Sequence, residues 1–151
     1  MNDLSSVSEL VPHDGNMCFL SSVEAFDEKS LHAKARIEST NPFLVEDTIS
    51  SWIGIEYMAQ AIAAWAGSRA KNRGEPAKVG LLLGTRHYHV DSPPFRLHCE
   101  LDIYVNKIIE SENNLAVFEC RIEYEEGLIA ANINVFMPDN IETVLPVPNN
   151  E

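Results

Sequence analysis

Polar and apolar residues alternate along most of this chain, and one segment departs from the alternation. In residues 31–37, Leu31, Ala33, Ala35 and Ile37 alternate with His32, Lys34 and Arg36, a period of two that predicts a half-buried strand. Residues 18–26 predict a strand before it. Asp27-Glu28-Lys29 supplies the turn, so the two strands form a predicted hairpin. Residues 79–90, 97–109, 115–124 and 128–136 also read as strands. Asp91-Ser92-Pro93-Pro94, Ser111-Glu112-Asn113-Asn114 and Glu125-Glu126-Gly127 separate them. The exception is 52–70, WIGIEYMAQAIAAWAGSRA. It is apolar on every side, which predicts a buried helix rather than a surface one. Its small residues Ala59, Ala63, Ala66 and Gly67 predict that another backbone passes close by. Ser50 or Ser51 can cap its start, and Asn72, Gly74 and Pro76 mark the loop beyond its end at 67–70. Asn41-Pro42 is a turn, because the proline keeps Asn41 out of the helical region.

The order is therefore two strands, one buried helix and four strands. That order predicts an α+β domain, with the helix laid on one face of an antiparallel sheet. A chain of 151 residues makes one domain, 1–151, with a core at about 10–137. Residues 1–8 are polar. Residues 10–17, LVPHDGNM, hold the turn formers Pro12, Asp14 and Gly15. Residues 138–151 carry three prolines and no periodicity, and read as a surface arm or disordered tail. Such a sheet leaves open edges, and pairing of edge strands in a dimer would close one.

Composition narrows the function. There are 11 Lys and Arg against 23 Asp and Glu, a net charge of −12, which argues against nucleic acid as a partner. The opening MNDLSSVSEL has neither the basic nor the apolar region of a signal peptide. No apolar run reaches the length of a membrane span. Cys18, Cys99 and Cys120 are far apart, sit among apolar neighbours and form no CxxC pair. They read as free thiols in a reducing compartment, the cytoplasm.

The chemistry centres on the helix. Glu56 and Gln60 are four residues apart and lie on one face, one turn from each other. A carboxylate in a buried helix is costly unless it is paired, hydrogen-bonded or needed for chemistry. Either reading remains open at this point: a proton-transfer group, or a glutamate satisfied by the Gln60 amide. His87, His89 and Asp91 would share one face of a strand, the spacing of a two-histidine, one-carboxylate metal site. Pro93-Pro94 ends that strand at once, so we read the face as solvated or as a subunit contact and expect no metal.

Several stretches together resemble a known family. LVPHDGNM followed by CFLSSV is similar to the opening of the 3-hydroxyacyl-acyl-carrier-protein dehydratases of the FabZ type. Gly54-Ile55-Glu56-Tyr57-Met58-Ala59-Gln60 resembles their central-helix signature, and Leu82-Leu83-Gly84-Thr85-Arg86-His87-Tyr88-His89 the strand that follows. Ile-Glu-Tyr-Met-Ala-Gln-Ala in the helix is similar to the ApeP-like branch, which is associated with aryl polyene or related acyl-chain synthesis. The resemblance spans about 10–137. It implies the hotdog fold, in which a curved antiparallel sheet wraps one long central helix. It also implies dehydration of a 3-hydroxyacyl thioester, carried on the phosphopantetheine of an acyl carrier protein, to the trans-2-enoyl product. No separate cofactor is implied. The partners implied are the carrier and a second hotdog subunit, in a homodimer or heterodimer.

The resemblance has one departure. FabZ-type enzymes place a catalytic histidine in a His-Phe-Pro segment before the helix, where this chain has Asn41-Pro42-Phe43-Leu44. A related hydratase motif, Asn-Pro-x-His, would need histidine where Leu44 stands. No histidine occurs between Ala33 and Thr85.

Dehydration needs a base for the α-proton, an acid for the departing hydroxyl and a donor for the thioester carbonyl. Glu56 is the candidate acid or acid/base, supported by Gln60. The backbone N–H groups of Ile53 and Gly54, at the helix N-terminus, are the candidate carbonyl donors, with Gly54 admitting the thioester for want of a side chain. The base has two candidate sources: His13, or a histidine of a partner subunit. Asn41 can orient substrate but cannot act as a base. Arg69, Lys71, Arg73, Lys78 and Arg86, offset within their span only by Glu75, form a candidate surface for an acidic carrier or its phosphate. Cations at a helix C-terminus also complement its dipole. A non-catalytic partner of an active paralogue and a hotdog thioesterase remain as alternative functions.

Overall fold

The computed structural model describes residues 18–74, 81–86, 88 and 92–136. His13, Lys78, His87, His89, Asp91 and the segment 138–151 lie outside them. The elements are β1 (Ser22–Phe26), β2 (Ser30–Arg36), β3 (Thr48–Ile49), a 3-10 turn (Ser51–Ile53), α1 (Gly54–Asn72), β4 (Leu81–Arg86), β5 (Phe95–Arg96), β6 (Glu100–Glu110), β7 (Leu115–Tyr124) and β8 (Gly127–Phe136). Six strands form one sheet in the order β1-β2-β6-β7-β8-β4. Every neighbouring pair in it is antiparallel. The helix packs on one face, against β1, β2, β6 and β7.

Alternation explains which face is covered. Leu31 pairs with Val105, Val105 with Cys120 and Cys120 with Ala131, an inward row across four strands. A second row runs Ala33, Ile103, Ile122, Ile129. All eight are buried. Burial of each large aliphatic among them is worth about 1.5–3 kcal/mol relative to exposure. Asp102, Tyr104, Glu119 and Arg121 fall between these positions and point to the other face, because successive strand side chains alternate.

The predicted hairpin is present, with an irregularity in β1 between Val23 and Ala25. Its turn is fixed by Asp27, whose Oδ1 accepts from the Lys29 N–H and Ser30 N–H, each at 2.8 Å. These bonds hold the carboxyl below its ordinary range. The helix runs two residues beyond the predicted end. Residues 18–20 are not strand, and the predicted strand 97–109 begins at Glu100.

A second, two-stranded sheet escaped the periodic reading. Thr48 pairs with Arg96 and Ile49 with Phe95, and the Leu97 N–H donates to the Asp47 carbonyl at 2.8 Å. It clips the loop that enters the helix to the loop that enters β6, and so fixes where the helix begins.

Candidate active site at the start of the helix

Glu56 is half-buried in the first turn of α1. Gln60 Nε2 donates to Glu56 Oε1 at 3.2 Å, so the i, i+4 spacing brings the two together. Gln60 Oε1 in turn accepts the Phe19 N–H at 2.8 Å. The amide thus ties the segment before β1 to the helix and presents its NH2 to the carboxylate. Glu56 shares its helix face with Trp52, Ala59 and Ala63. Trp52 is exposed, and Ile55, Glu56, Ala59 and Ala63 are half-buried. This is the side of the helix least covered by the chain's own sheet, whereas Ala66 and Gly67 are buried.

The expectation that Ile53 and Gly54 offer unpaired carbonyl donors is corrected. A 3-10 turn precedes the helix and consumes both groups: the Ile53 N–H donates to the Ser50 carbonyl at 2.9 Å, and the Gly54 N–H to the Ser51 carbonyl. Ser50 is the cap, its Oγ accepting the Trp52 N–H at 3.3 Å. Gly54 is small for an internal reason. A Cβ there would lie 2.5 Å from Tyr88 Oη and 3.2 Å from Ile122 Cδ1. Tyr88 itself donates to the Ser51 carbonyl at 2.6 Å and stacks on Trp52, with ring centroids 5.3 Å apart. Burial pushes its phenol well above the ordinary range, partly opposed by the Ile55 N–H at its oxygen.

Asn41 is buried and structural in its contacts. Its Oδ1 accepts the Phe43 N–H at 2.8 Å, closing the turn that Pro42 predicted. Its Nδ2 donates to the Tyr57 hydroxyl at 3.0 Å. Burial pushes the Tyr57 phenol up. Leu44 packs against the core in the place where the hydratase motif would have histidine.

The cationic run is less positive in space than in sequence. Arg69 lies 3.6 Å from Glu110 and Arg73 3.3 Å from Glu28, carboxylates from distant turns and strands. Lys71 is exposed. Arg86 ends β4 in register with Asn132.

Among the described residues no group of three His, Cys, Asp or Glu could hold a metal, and no helix is long and apolar enough to cross a membrane. Cys99 and Cys120 are free thiols; Cys120 is buried, and Cys18 and Cys99 are half-buried. Burial pushes the Cys120 and Cys99 thiols up.

A groove of about 630 Å³ lies at the other face of the sheet and includes His32, Tyr104, Asn106, Glu119, Arg121 and Asn132. Several of its side chains are already engaged. His32 Nε2 is 2.7 Å from Asp102 Oδ1, and Tyr104 stacks on His32 and takes the Arg121 guanidinium at 3.9 Å. Glu56 does not line it.

The family model for the ApeP dehydratase matches residues 5–146. The chain belongs to the ApeP-like dehydratase family. A solved structure that it resembles is the dehydratase heterocomplex ApeI:P from Xenorhabdus doucetiae, at 28% identity and a TM-score of 0.83, covering 94% of this chain and 97% of that one. Two more distant likenesses show the hotdog fold alone. A hypothetical thioesterase with coenzyme A from Streptococcus pneumoniae has 11% identity and a TM-score of 0.59, over 78% of this chain and 84% of that one. A sigma28-regulated virulence protein from Campylobacter jejuni has 14% identity and a TM-score of 0.61, over 89% and 96%. No curated protein matches.

Sequence reasoning missed Tyr88, Ser51 and the Phe19 amide as parts of this constellation. Tyr88 sits between the two histidines that drew the metal reading, and nothing in its spacing pointed to the helix. Phe19 is 41 positions from Gln60, and backbone groups leave no sequence signal.

Proposed function

We propose that this chain is one subunit of a 3-hydroxyacyl-[acyl-carrier-protein] dehydratase of the cytoplasm, acting in acyl-chain synthesis of the fatty-acid or aryl-polyene type. The observation that supports it most is the half-buried Glu56, held by the Gln60 amide on the less-covered side of a buried helix. In the reaction a base removes the α-proton of the carrier-bound thioester. The C–H electron pair forms the new double bond, and the 3-hydroxyl leaves as water with a proton from Glu56. Leu44 stands where a loop histidine would, so the base comes from a second hotdog subunit laid against the Ile55–Ala59–Ala63 side, in the manner of a heterocomplex. His13 is the alternative within the chain. Lys71, Arg73, Lys78 and Arg86 contribute to the surface that meets the acidic carrier, with Arg69 beside them.

The test is dehydration of a 3-hydroxyacyl-carrier thioester, followed by mass spectrometry, with the chain alone and with a second hotdog subunit. The expected result is loss of water that needs both subunits and falls by about 100-fold or more in Glu56→Gln, the scale of a lost acid/base group. Full activity of the Glu56→Gln complex would overturn the role of Glu56 and leave this chain as a non-catalytic partner, a reading that the absence of a loop histidine favours. Free thiol release without dehydration would make it a thioesterase.

A further inference from the structure

The outer face of the large sheet, turned away from the helix, changes character at one corner. Elsewhere its side chains are polar, in rows such as His32–Tyr104–Arg121 and Lys34–Asp102–Glu123. At the corner beside the β6–β7 turn they are apolar. Ile109 pairs with Val117, and Leu115 with Phe136. Leu115 and Val117 flank the buried Ala116, and Phe136 follows the buried Val135, so alternation turns all four side chains outward. Ile109 is 58% and Leu115 41% exposed, and Val117 and Phe136 are half-buried. Gly84 stands in register with Asn134 next to them, and a Cβ on it would meet nothing within 4 Å. The corner is therefore open as well as apolar. Single exposed apolar residues are ordinary, but a contiguous group of them marks a contact surface.

Phe136 belongs to this patch and is also where the described part of the chain ends. Residues 137–151 follow it and include Ile141, Val144, Leu145 and Val147. The family match runs on to residue 146, so the first three of these lie in the stretch shared with the family.

We infer that segment 141–147 is a strap that lies back over Ile109, Leu115, Val117 and Phe136 and covers this corner of the sheet. The inference does not depend on the dehydratase reading.

Tethering decides between the strap and a second copy as the occupant. The segment starts five residues from Phe136, and five extended residues span up to about 18 Å, enough to turn and return over neighbouring strands. A short tether gives an effective concentration on the order of millimolar, which a second copy at micromolar concentration does not match. Pro146 and Pro148 lack the N–H that a ladder needs, so the strap is held by its apolar side chains rather than as a further strand.

The experiment uses the full native chain with labelled Ile, Leu and Val methyl groups. The expected result is nuclear Overhauser contacts from the methyls of Ile109 or Leu115 to those of Ile141, Val144, Leu145 or Val147. Absence of every such contact overturns the inference. A sample of labelled and unlabelled chains, mixed after unfolding, identifies the source. Contacts between chains instead of within one overturn the strap in favour of a second copy. Hydrogen–deuterium exchange supplies a second readout. Leu145→Asp puts a charge into the strap, and uptake over 108–117 should quicken by about tenfold, the scale of one lost apolar side-chain contact. Uptake around Leu128, exposed at the other end of the same face, should not change. Unaltered uptake at 108–117, or an equal rise at both places, overturns the inference. The methyl contacts are read on the native chain and stand whether or not Leu145→Asp folds.

Discussion

Replacing Gln60 by leucine isolates what the amide does for the fold. Gln60 is 0% exposed, and two of its bonds differ in importance. The bond from the Phe19 N–H, at 2.8 Å, is buried. The bond to Glu56, at 3.2 Å, is part-buried, and water can replace it at a half-buried carboxylate. Gln60→Leu therefore leaves one buried backbone donor without its acceptor, at about 1–3 kcal/mol. The apolar leucine offsets a fraction of this in a core site, for a net loss of about 1–2 kcal/mol. For a chain of this size that lowers Tm by about 3–7 °C.

Gln60→Glu separates the two bonds. The introduced carboxylate can still accept from Phe19 but cannot donate to Glu56, and it places two like charges together. Its folded-state pKa is raised above the roughly 4.3 of an unfolded glutamate. A raised folded-state value gives stability that is present below the unfolded pKa and lost as pH rises through the folded one. The Gln60→Glu deficit is therefore smallest near pH 4 and full above about pH 7. Thermal melts by circular dichroism across this range provide the check. A Gln60→Leu protein within about 0.5 kcal/mol of native, or a Gln60→Glu deficit independent of pH, would refute the reasoning.

Two further outcomes rest on contacts at Gly54 and at Asp27. Gly54→Ala puts a Cβ 2.5 Å from Tyr88 Oη and should cost about 1–3 kcal/mol by overpacking; adding Tyr88→Phe should recover part of it, and a double-mutant cycle in urea with no coupling would refute the contact. The Asp27 carboxyl is held below its ordinary pKa by the turn bonds to Lys29 and Ser30. A depressed pKa gives stability present above the unfolded value and lost as pH falls through the folded one. Asp27→Asn should therefore be less stable than native at neutral pH and converge with it in acid, as melts at falling pH would show.

The large sheet was legible because its strands obey one rule. In β2, β7, β8 and β6 as far as Val105 the buried residues fall at every second position and are the apolar ones, so the alternation carries both the element and its orientation. The helix was legible for the opposite reason, since its run of alanines, Ile62 and Trp65 has no polar face. Thr48–Ile49 and Phe95–Arg96 were not legible, because a two-residue strand has no period. The Glu56–Gln60 contact follows from helical spacing alone. What that contact rests on does not: Phe19 offers a backbone group, and Tyr88 arrives from beyond the helix. The partners of the cationic run were not legible for a related reason. Sequence proximity counted Glu75, while the folded chain brought Glu28 to Arg73 and Glu110 to Arg69.

The two tryptophans of the chain sit in opposite surroundings, and this makes the protein its own spectroscopic reporter. Trp65 is 1% exposed. Its indole N–H donates to the Asp27 carbonyl at 3.1 Å, and Arg69 and Lys107 lie 5.2 and 5.0 Å from its ring. Trp52 is 62% exposed. Emission from the first responds to loss of the core, and emission from the second to whatever covers the entrance of the helix. A change confined to the long-wavelength side of the spectrum therefore marks an event at Trp52 with the interior intact. A change on the short-wavelength side marks the hairpin turn parting from the helix.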